Sequence, residues 1–204
     1  MTFDEGGRVV AFGEFPRLET ERLVLRRMTL DDAEFYLRHF SAPDIVELTA
    51  FEAPKDLEAA RTELRAYCID NFDRNTGIRW GISRKPDPAL IGTCGFHQWV
   101  REGGHRARIG FDLVAAHRRK GIMTEALTAM LAYGFEGMRL HRAEALVDPG
   151  NIGSIRTLEG LGFRREGVLR EDAIFRGRFT DDAVYSLLEQ EWRAGRPARD
   201  PKPS

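Results

Sequence analysis

The segment with the clearest chemical potential is His117–Ala126, which lies between a predicted strand and the start of a strongly amphipathic helix. It places three basic side chains, Arg118, Arg119 and Lys120, directly before Gly121. The N-terminus of a helix exposes unpaired backbone N–H groups and the positive end of the helix dipole, and glycine allows a ligand close to the backbone. These features predict a phosphate-binding loop. A solvated basic turn is the alternative, because the sequence contains neither a Walker loop nor a GxGxxG fingerprint.

Two further motifs follow that helix. Asn151-Ile152-Gly153-Ser154 precedes a short predicted helix, which ends at Gly162-Phe163 and is followed by Glu166-Gly167. Serine is a preferred helix N-cap residue, so capping of this helix is one predicted role for Ser154. Glu125, in the first turn of the amphipathic helix, complements the helix dipole, and we expect its role to be structural.

The order and spacing of these motifs resemble the GCN5-related N-acetyltransferase (GNAT) superfamily. Arg118-x-x-Gly121-x-Met123 resembles the acyl-coenzyme A loop of that superfamily, Gln/Arg-x-x-Gly-x-Gly/Ala. The similar companions are the upstream segment LIGTCGF, Thr124-Glu125-Ala126, Asn151-x-x-Ser154 and Gly162-Phe163. The set is most similar to the branch that contains the ribosomal-protein N-terminal acetyltransferases. Met123 departs from the usual glycine or alanine, and its side chain is expected to point away from the phosphates.

The resemblance covers the chain from about Leu18 to Trp192 and implies an α/β fold of mixed α+β type. The expected single domain has a bent, mostly antiparallel mixed sheet flanked by helices. Its two central parallel strands, Arg108–Val114 and Arg142–Val147, are expected to splay apart and hold acetyl-coenzyme A between them. The resemblance implies that the pantetheine arm contacts the backbone of Phe111, Asp112, Leu113 and Val114. The pyrophosphate is expected on the N–H groups of Arg118, Arg119, Lys120, Gly121, Ile122, Met123 and Thr124. Asn151 and Ser154 complete the implied cofactor contacts, with Asn151 ordering the pantetheine or the loop. No metal is implied.

The implied reaction is attack of a neutral amine on the acetyl thioester. The tetrahedral oxyanion needs a hydrogen-bond donor, for which a backbone N–H near Leu113 is available, and the thiolate needs a proton. Many relatives carry a tyrosine as proton donor at the position of Leu158 here. In the ribosomal-protein branch a serine three residues after the motif asparagine takes this part, and the resemblance implies that role for Ser154. Ala173 occupies the position where some relatives have a catalytic glutamate. Glu171 and Asp172 lie close by, and either acts as the base through a water, or bulk solvent deprotonates the amine.

The acceptor is expected to be a primary amine, with the N-terminus of a protein or peptide preferred. Its groove is expected from residues 29–72 and 171–181, whose carboxylates suit a cationic acceptor. These carboxylates are Asp31, Asp32, Glu47, Glu52, Asp70, Glu171 and Asp172. A free small amine, such as a polyamine, amino acid or antibiotic, is a second hypothesis, and a non-catalytic coenzyme A-binding module is a third.

Hydrophobic periodicity predicts the elements that position these groups. The predicted order is strand, two helices, three strands, helix, strand, helix and two strands. Leu127, Met130 and Leu131 fall on one face of the amphipathic helix. The three middle strands are joined by short Gly/Pro turns and are expected to be antiparallel. The later strand–helix–strand crossover requires a parallel pair and a right-handed connection.

Composition narrows the remaining function classes. The 204 residues suffice for one N-acetyltransferase domain, expected at 15–193 between a flexible leader (1–14) and a flexible, proline-containing tail (194–204). Lys plus Arg number 31 and Asp plus Glu number 32, which argues against a nucleic-acid binder.

Neither a signal peptide nor a run of about 18 apolar residues occurs, so no membrane association is expected. Cys68 and Cys94 predict buried free thiols of a cytoplasmic protein. The oligomeric state stays open between a monomer and a homodimer.

Overall fold

The computed structural model describes residues 2–3, 9–48, 52–175 and 177–195, and its centre is a mixed sheet of eight strands. Two short strands, β1 (Thr2–Phe3) and β2 (Val9–Ala11), pair separately. The strands of the main sheet, in their spatial order, are β3 (Leu18–Glu19), β4 (Leu23–Arg27), β5 (Ile78–Arg84), β6 (Leu90–Val100), β7 (Arg106–Leu113), β8 (Arg142–Val147), β10 (Arg178–Leu188) and β9 (Arg164–Phe175). Neighbours are antiparallel except β7 and β8, which are parallel. This arrangement confirms the predicted fold class.

Helices cover both faces of the sheet. They are α1 (Ala33–Phe40), α2 (Pro43–Leu48), α3 (Leu57–Leu64), α4 (Asn71–Asp73), α5 (Ile122–Ala132), α6 (Ile152–Gly160) and α7 (Glu189–Ala194). A π-helical turn, Arg65–Asp70, joins α3 to α4, and another, Tyr133–Gly137, extends α5. None of the helices in the described ranges has both the length and the apolar character of a membrane span.

Two apolar clusters hold these layers together. The larger one buries the predicted stripe of α5, including Leu127, Met130 and Leu131, with side chains of the central strands such as Ile109 and Ala143. The smaller one packs α1 and α3 against Met28 and Leu90 on the other side. The chain therefore fixes α5 and the α1–α3 layer independently against the same sheet.

The N-terminal segment has more structure than expected for a flexible leader of residues 1–14. Phe12 is buried, and its ring stacks on Phe72 with a centroid distance of 4.9 Å and lies 4.7 Å from the ring of Trp99. Its backbone N–H donates to Asn75 Oδ1 at 2.5 Å. Phe12 thus belongs to the packed part of the domain, because burial of an aromatic side chain offsets the entropy of ordering the segment. Residues 1 and 4–8 of the expected leader lie outside the described residues. The expected tail falls mostly on residues 196–204, which lie outside the described residues.

The closing hairpin is longer than hydrophobic alternation indicated. For the last two strands the apolar pattern covers only Val168–Leu169 and Ala183–Leu188, whereas β9 has 12 residues and β10 has 11. Most of β9 is exposed at the edge of the sheet, so it has no apolar face for a sequence pattern to reveal. The hairpin extends past the end of β8, since pairing of β10 with β8 begins only at Ala183.

Candidate functional site

The two parallel strands diverge in the middle of the sheet. β7 and β8 pair over only three positions, from Arg106 opposite Arg142 to Arg108 opposite Glu144. Beyond that point β7 continues to Leu113 beside β6, and β8 continues to Val147 beside β10. A wedge therefore opens between residues 109–113 and 145–147, where the splay was predicted.

The backbone of Leu113 is directed into this wedge. The next residue, Val114, donates its N–H to Ile91 O on the β6 side at 2.9 Å. Consecutive residues of a strand direct their backbone groups to opposite edges, so the Leu113 N–H faces the wedge. Arg118 Nε donates to Leu113 O at 2.9 Å and ties the following loop to the same strand.

The loop of residues 118–124 joins the wedge to the start of α5. Gly121 is the N-cap, with a φ of 70° that favours glycine, and no side chain caps this helix. The first intrahelical hydrogen bond runs from Glu125 N to Gly121 O, so the N–H groups of Ile122, Met123 and Thr124 have no partner within the helix. A Cβ at Gly121 would have only Arg22 Nη2 nearby, at 3.5 Å, so the approach to these N–H groups is open. The loop fits a phosphate group.

The side chains of the loop divide between structure and solvent. Ile122 and Met123 are buried in the core, so the unusual methionine takes no space on the ligand side. Arg118 Nη2 lies 2.5 Å from Asp44 Oδ2 of α2, and Lys120 Nζ donates to Ala116 O at 2.7 Å. Arg119 is exposed and has no partner in the described part of the chain, which leaves its charge for a bound anion.

Glu125 anchors the start of α5 to the first strands of the sheet. Its Oε1 accepts from Thr20 Oγ1 at 2.5 Å and from Arg22 N at 3.0 Å, and its Oε2 accepts from Arg22 Nε at 2.5 Å. Arg22 Nη1 also donates to Lys120 O at 3.1 Å. The carboxylate is thus fully engaged in positioning the loop, as expected for a structural residue.

The beginning of α6 separates the roles of Asn151 and Ser154. Asn151 is the N-cap, and its Oδ1 accepts from Ser154 N at 3.1 Å. Ser154 therefore sits inside the first turn and is not the cap, and its hydroxyl has no hydrogen bond among the described residues. Both residues line the cavity described next, together with the buried Leu158.

A cavity of about 1010 Å³ extends from the wedge between the α1–α4 layer and the β9–β10 hairpin. Its wedge side contains Gly110, Phe111, Asp112 and the end of β8, and its opposite side contains Tyr36, Phe40 and Tyr67. Ala173, Phe175, Thr180 and Asp182 contribute from the hairpin. The residues of the 118–124 loop do not line this cavity, and the loop adjoins the wedge at Leu113, where Arg118 Nε contacts the end of β7.

A buried polar network surrounds Asp112 of β7, the strand on one side of the wedge. Asp112 Oδ1 lies 2.7 Å from His39 Nε2 of α1 and accepts from Thr93 N at 3.0 Å. Its Oδ2 accepts from Thr93 Oγ1 at 2.6 Å and forms an ion pair with Arg79. Burial raises the pKa of Asp112, but Arg79, His39 and Thr93 lower it more, so this pKa lies below its ordinary value. The negative charge that strand β7 carries at the wedge is therefore compensated.

His97 contributes an uncharged imidazole to the cavity. Burial, together with the charges of Arg79 and Arg108, lowers its pKa to about 4. The next residue, Gln98, lines the same cavity with a φ of 51°, at an irregularity in the pairing of β6 with β7. Unusual backbone conformations of this kind persist where the surrounding structure holds them, often at binding sites.

The carboxylates of the cavity differ from those that the sequence analysis selected. Among the selected residues, Glu47 and Glu52 line the cavity, whereas Asp32 pairs with Arg26 and Asp70 with Arg74. Glu171 and Asp172 are exposed on β9 and do not line it. Asp148 and Asp182, which sequence reasoning missed, do line it. Their positions depend on strand register, for which the sequence contained no signal.

The described residues include no group of three or more His, Cys, Asp or Glu side chains that could hold a metal ion. Cys68 and Cys94 are buried free thiols. Burial raises the pKa of both thiols to about 12, so neither is a ready nucleophile.

Comparison with known proteins gives the family. The family described as "Acetyltransferase (GNAT) domain" matches residues 22–164. "Uncharacterized N-acetyltransferase YoaA" of Bacillus subtilis (strain 168) is 36% identical over 175 residues, which cover 86% of this chain and 98% of that protein. The "[Ribosomal protein uS5]-alanine N-acetyltransferase" of Escherichia coli (strain K12) is 29% identical over 88% of this chain and 94% of its own length. Among solved structures, spermidine N-acetyltransferase from Vibrio cholerae, in complex with CoA and spermine, superposes with a TM-score of 0.74 at 21% identity. The match covers 85% of this chain and 99% of that chain. The splayed strands, the glycine loop and these matches together show that the chain belongs to the GNAT superfamily and is an N-acetyltransferase.

Proposed function

We propose that this protein transfers the acetyl group of acetyl-coenzyme A to a cationic primary amine, with the N-terminal amine of a protein or peptide as the preferred acceptor. The observation that carries the proposal is the wedge between β7 and β8, which the open amide loop follows and whose cavity the free Ser154 hydroxyl lines. Coenzyme A supplies a diphosphate for the loop and a thioester for the wedge.

The donor side of the site follows from the backbone. The N–H groups of the loop from Arg118 to Thr124, with the exposed Arg119, would hold the diphosphate. The Leu113 N–H would donate to the carbonyl oxygen of the thioester as negative charge develops on it. The free hydroxyl of Ser154 would protonate the departing thiolate, while Asn151 caps α6 and keeps that hydroxyl in place.

The charged side chains that line the cavity favour a cationic acceptor. The three arginines that line the cavity each lie near a carboxylate. Arg79 forms an ion pair with Asp112. Arg74 Nη2 lies 3.3 Å from Asp70 Oδ2, and Arg108 Nε lies 3.9 Å from Glu144 Oε2. Glu47, Glu52 and Asp182, which also line the cavity, have no ion pair among the described residues. An ammonium group entering this cavity therefore meets an excess of negative charge.

A peptide N-terminus and a polyamine both satisfy this charge pattern. The Escherichia coli relative is named for a ribosomal-protein alanine, and the Vibrio cholerae structure holds spermine. We prefer the peptide because the Escherichia coli relative is 29% identical over 94% of its own length, whereas the Vibrio cholerae structure is 21% identical. The free thiols Cys68 and Cys94 support a reducing, cytoplasmic setting for the reaction.

Steady-state kinetics with a panel of acceptors test this proposal. Short peptides with different N-terminal residues, spermidine, free amino acids and an aminoglycoside would be compared at a fixed acetyl-coenzyme A concentration. We expect kcat/KM for the best peptide to exceed that for spermidine at least tenfold. Turnover only with spermidine or another free amine would replace the peptide by the second candidate, and the absence of acetyl-coenzyme A binding would overturn the whole proposal.

A further inference from the structure

Asp182 lies in the wall of the cavity, beside the point where β8 and β10 begin to pair. It lies on β10 one residue before Ala183, which pairs with Val147 at the end of β8. The part of β10 before Ala183 is not paired with β8. It pairs only with β9, where Asp182 lies opposite Leu169. The same cavity is lined by Asn151 and Ser154. Asp182 is thus placed at the wide end of the wedge, near the proposed position of the reacting thioester.

The side chain of Asp182 has no hydrogen bond or ion pair among the described residues, although it is only partly exposed. Two neighbouring carboxylates differ in this respect, since Asp181 Oδ1 accepts from Glu171 N at 2.9 Å and Asp148 Oδ1 accepts from Gly150 N at 2.6 Å. A partly buried carboxylate without a partner is unfavourable in the free protein. Its position in the cavity wall leaves it available to a cation that binds there.

The charges around Asp182 favour proton uptake. Burial raises its pKa above the ordinary value, and the carboxylates of Asp172 on β9, Asp148 after β8 and Asp181 on β10 raise it further. Arg108 on β7 acts in the opposite direction. A base with a raised pKa is better matched to a reaction near neutral pH than an ordinary aspartate.

We propose that Asp182 is the catalytic residue that accepts the proton of the acceptor's ammonium group. The inference rests on the proposed function and names the base of that reaction. Glu171 and Asp172, which the sequence analysis suggested, are exposed and do not line the cavity. Asp172 influences Asp182 only through its charge.

The acetyl transfer moves two protons from the acceptor nitrogen. One proton passes from the ammonium nitrogen to the Asp182 carboxylate, and the freed lone pair forms the new C–N bond to the thioester carbon. The C–S bond then breaks, a second proton from the nitrogen reaches the sulfur by way of the Ser154 hydroxyl, and Asp182 releases its proton to solvent. The products are the amide, free coenzyme A and one proton.

The test compares Asp182→Asn and Asp182→Glu with Asp172→Asn and Glu171→Gln as controls. We expect Asp182→Asn to lower kcat/KM for the best acceptor about 100-fold at pH 7 and to remove the acidic limb of the pH profile. Asp182→Glu is expected to recover part of the activity. Asp172→Asn should keep activity within about threefold but move the acidic limb to lower pH, because one of the charges that favours protonation of Asp182 is gone.

Several results would overturn this assignment. They are a kcat/KM for Asp182→Asn within about threefold of wild type, an unchanged acidic limb in that variant, or an equally large loss in Glu171→Gln. Calorimetry with acetyl-coenzyme A separates this inference from the proposed function, because Asp182→Asn should bind the cofactor as wild type does.

A spectroscopic measurement decides the matter even if no acceptor turns over. In protein with ¹³C-labelled aspartate carboxyl groups, the Asp182 signal is assigned as the one that Asp182→Asn removes. We expect that signal to titrate above an ordinary aspartate and to shift on addition of spermidine or an alanine-initiated peptide. An ordinary titration without a response to either amine would overturn the inference.

Discussion

His39 Nε2 lies 2.7 Å from Asp112 Oδ1, and this contact joins the helix layer on the acceptor side to the strand that borders the cofactor wedge. Both side chains are almost completely inaccessible to solvent. Arg79 and Thr93 complete the partners of Asp112, so residues from α1, β5 and β6 converge on one carboxylate of β7. A displacement of α1 would therefore be transmitted to the edge of the wedge.

Removal of the Asp112 carboxylate should destabilise the protein strongly. Asp112→Ala leaves Arg79 buried without its partner, and the loss of one member of a buried charge pair costs about 3–5 kcal/mol. Urea denaturation measures the change. Asp31→Asn, at an exposed carboxylate on the same side of the sheet, should change the free energy of unfolding by less than about 0.5 kcal/mol. A similar small change in Asp112→Ala would contradict a stabilising network.

His97 should make the protein less stable in mild acid. Its pKa is about 4 in the folded protein, compared with about 6.5 for an ordinary histidine. Between these values the unfolded chain binds a proton that the folded protein does not, so the free energy of unfolding falls as the pH decreases from about 6.5 to about 4. Chemical denaturation across this range should show that the free energy of unfolding depends less steeply on pH in His97→Gln than in the wild type. The exposed His141→Gln variant is expected to retain the wild-type slope.

Gly121 should matter for coenzyme A binding beyond its effect on stability. Gly121→Ala places a Cβ on the open side of the loop and strains a backbone with a φ of 70°. We expect its acetyl-coenzyme A Kd to rise about tenfold, as the loss of one hydrogen bond to a charged group would cause. Gly103, in the turn between β6 and β7, has a φ of 71° and open space around its Cβ position.

Gly103→Ala is therefore a matched control for the loop variant. Both substitutions are expected to lower stability by about 1 kcal/mol, since each puts alanine in a left-handed conformation. Isothermal calorimetry should find a weaker cofactor only for Gly121→Ala. Equal affinity in the two variants would show that the loop does not contact the diphosphate.

Ser154 and Asn151 should separate catalysis from helix capping. Ser154→Ala removes a hydroxyl that caps nothing, so we expect kcat to fall about 100-fold with little change in the free energy of unfolding. Asn151→Ala removes the cap and should cost about 1 kcal/mol. Thr157→Ala is the control for hydroxyl loss on the same helix, because Thr157 Oγ1 only donates to Gly153 O. Unaltered turnover in Ser154→Ala would remove this residue from the mechanism.

Much of the framework could be predicted because its signals are local. The stripe of Leu127, Met130 and Leu131 predicts α5 from spacing alone, and Gly121 before that stripe marks the entrance to the helix. The crossover from β7 through α5 to β8 requires a parallel pair in any arrangement of the sheet. These conclusions need only residues that are neighbours in the chain.

By itself, the amino-acid sequence thus indicated the order of the elements from β5 to β10, with α5 and α6 between the strands, and, by resemblance, the family. The tertiary structure alone decided that Asn151 and not Ser154 caps α6, that Asp182 and not Glu171 lines the cavity, and that Asp112 is buried among His39, Arg79 and Thr93. These relationships depend on strand register and on contacts between segments far apart in the chain. Local periodicity is insensitive to both, because it records which face of an element is apolar and not which distant side chain meets it.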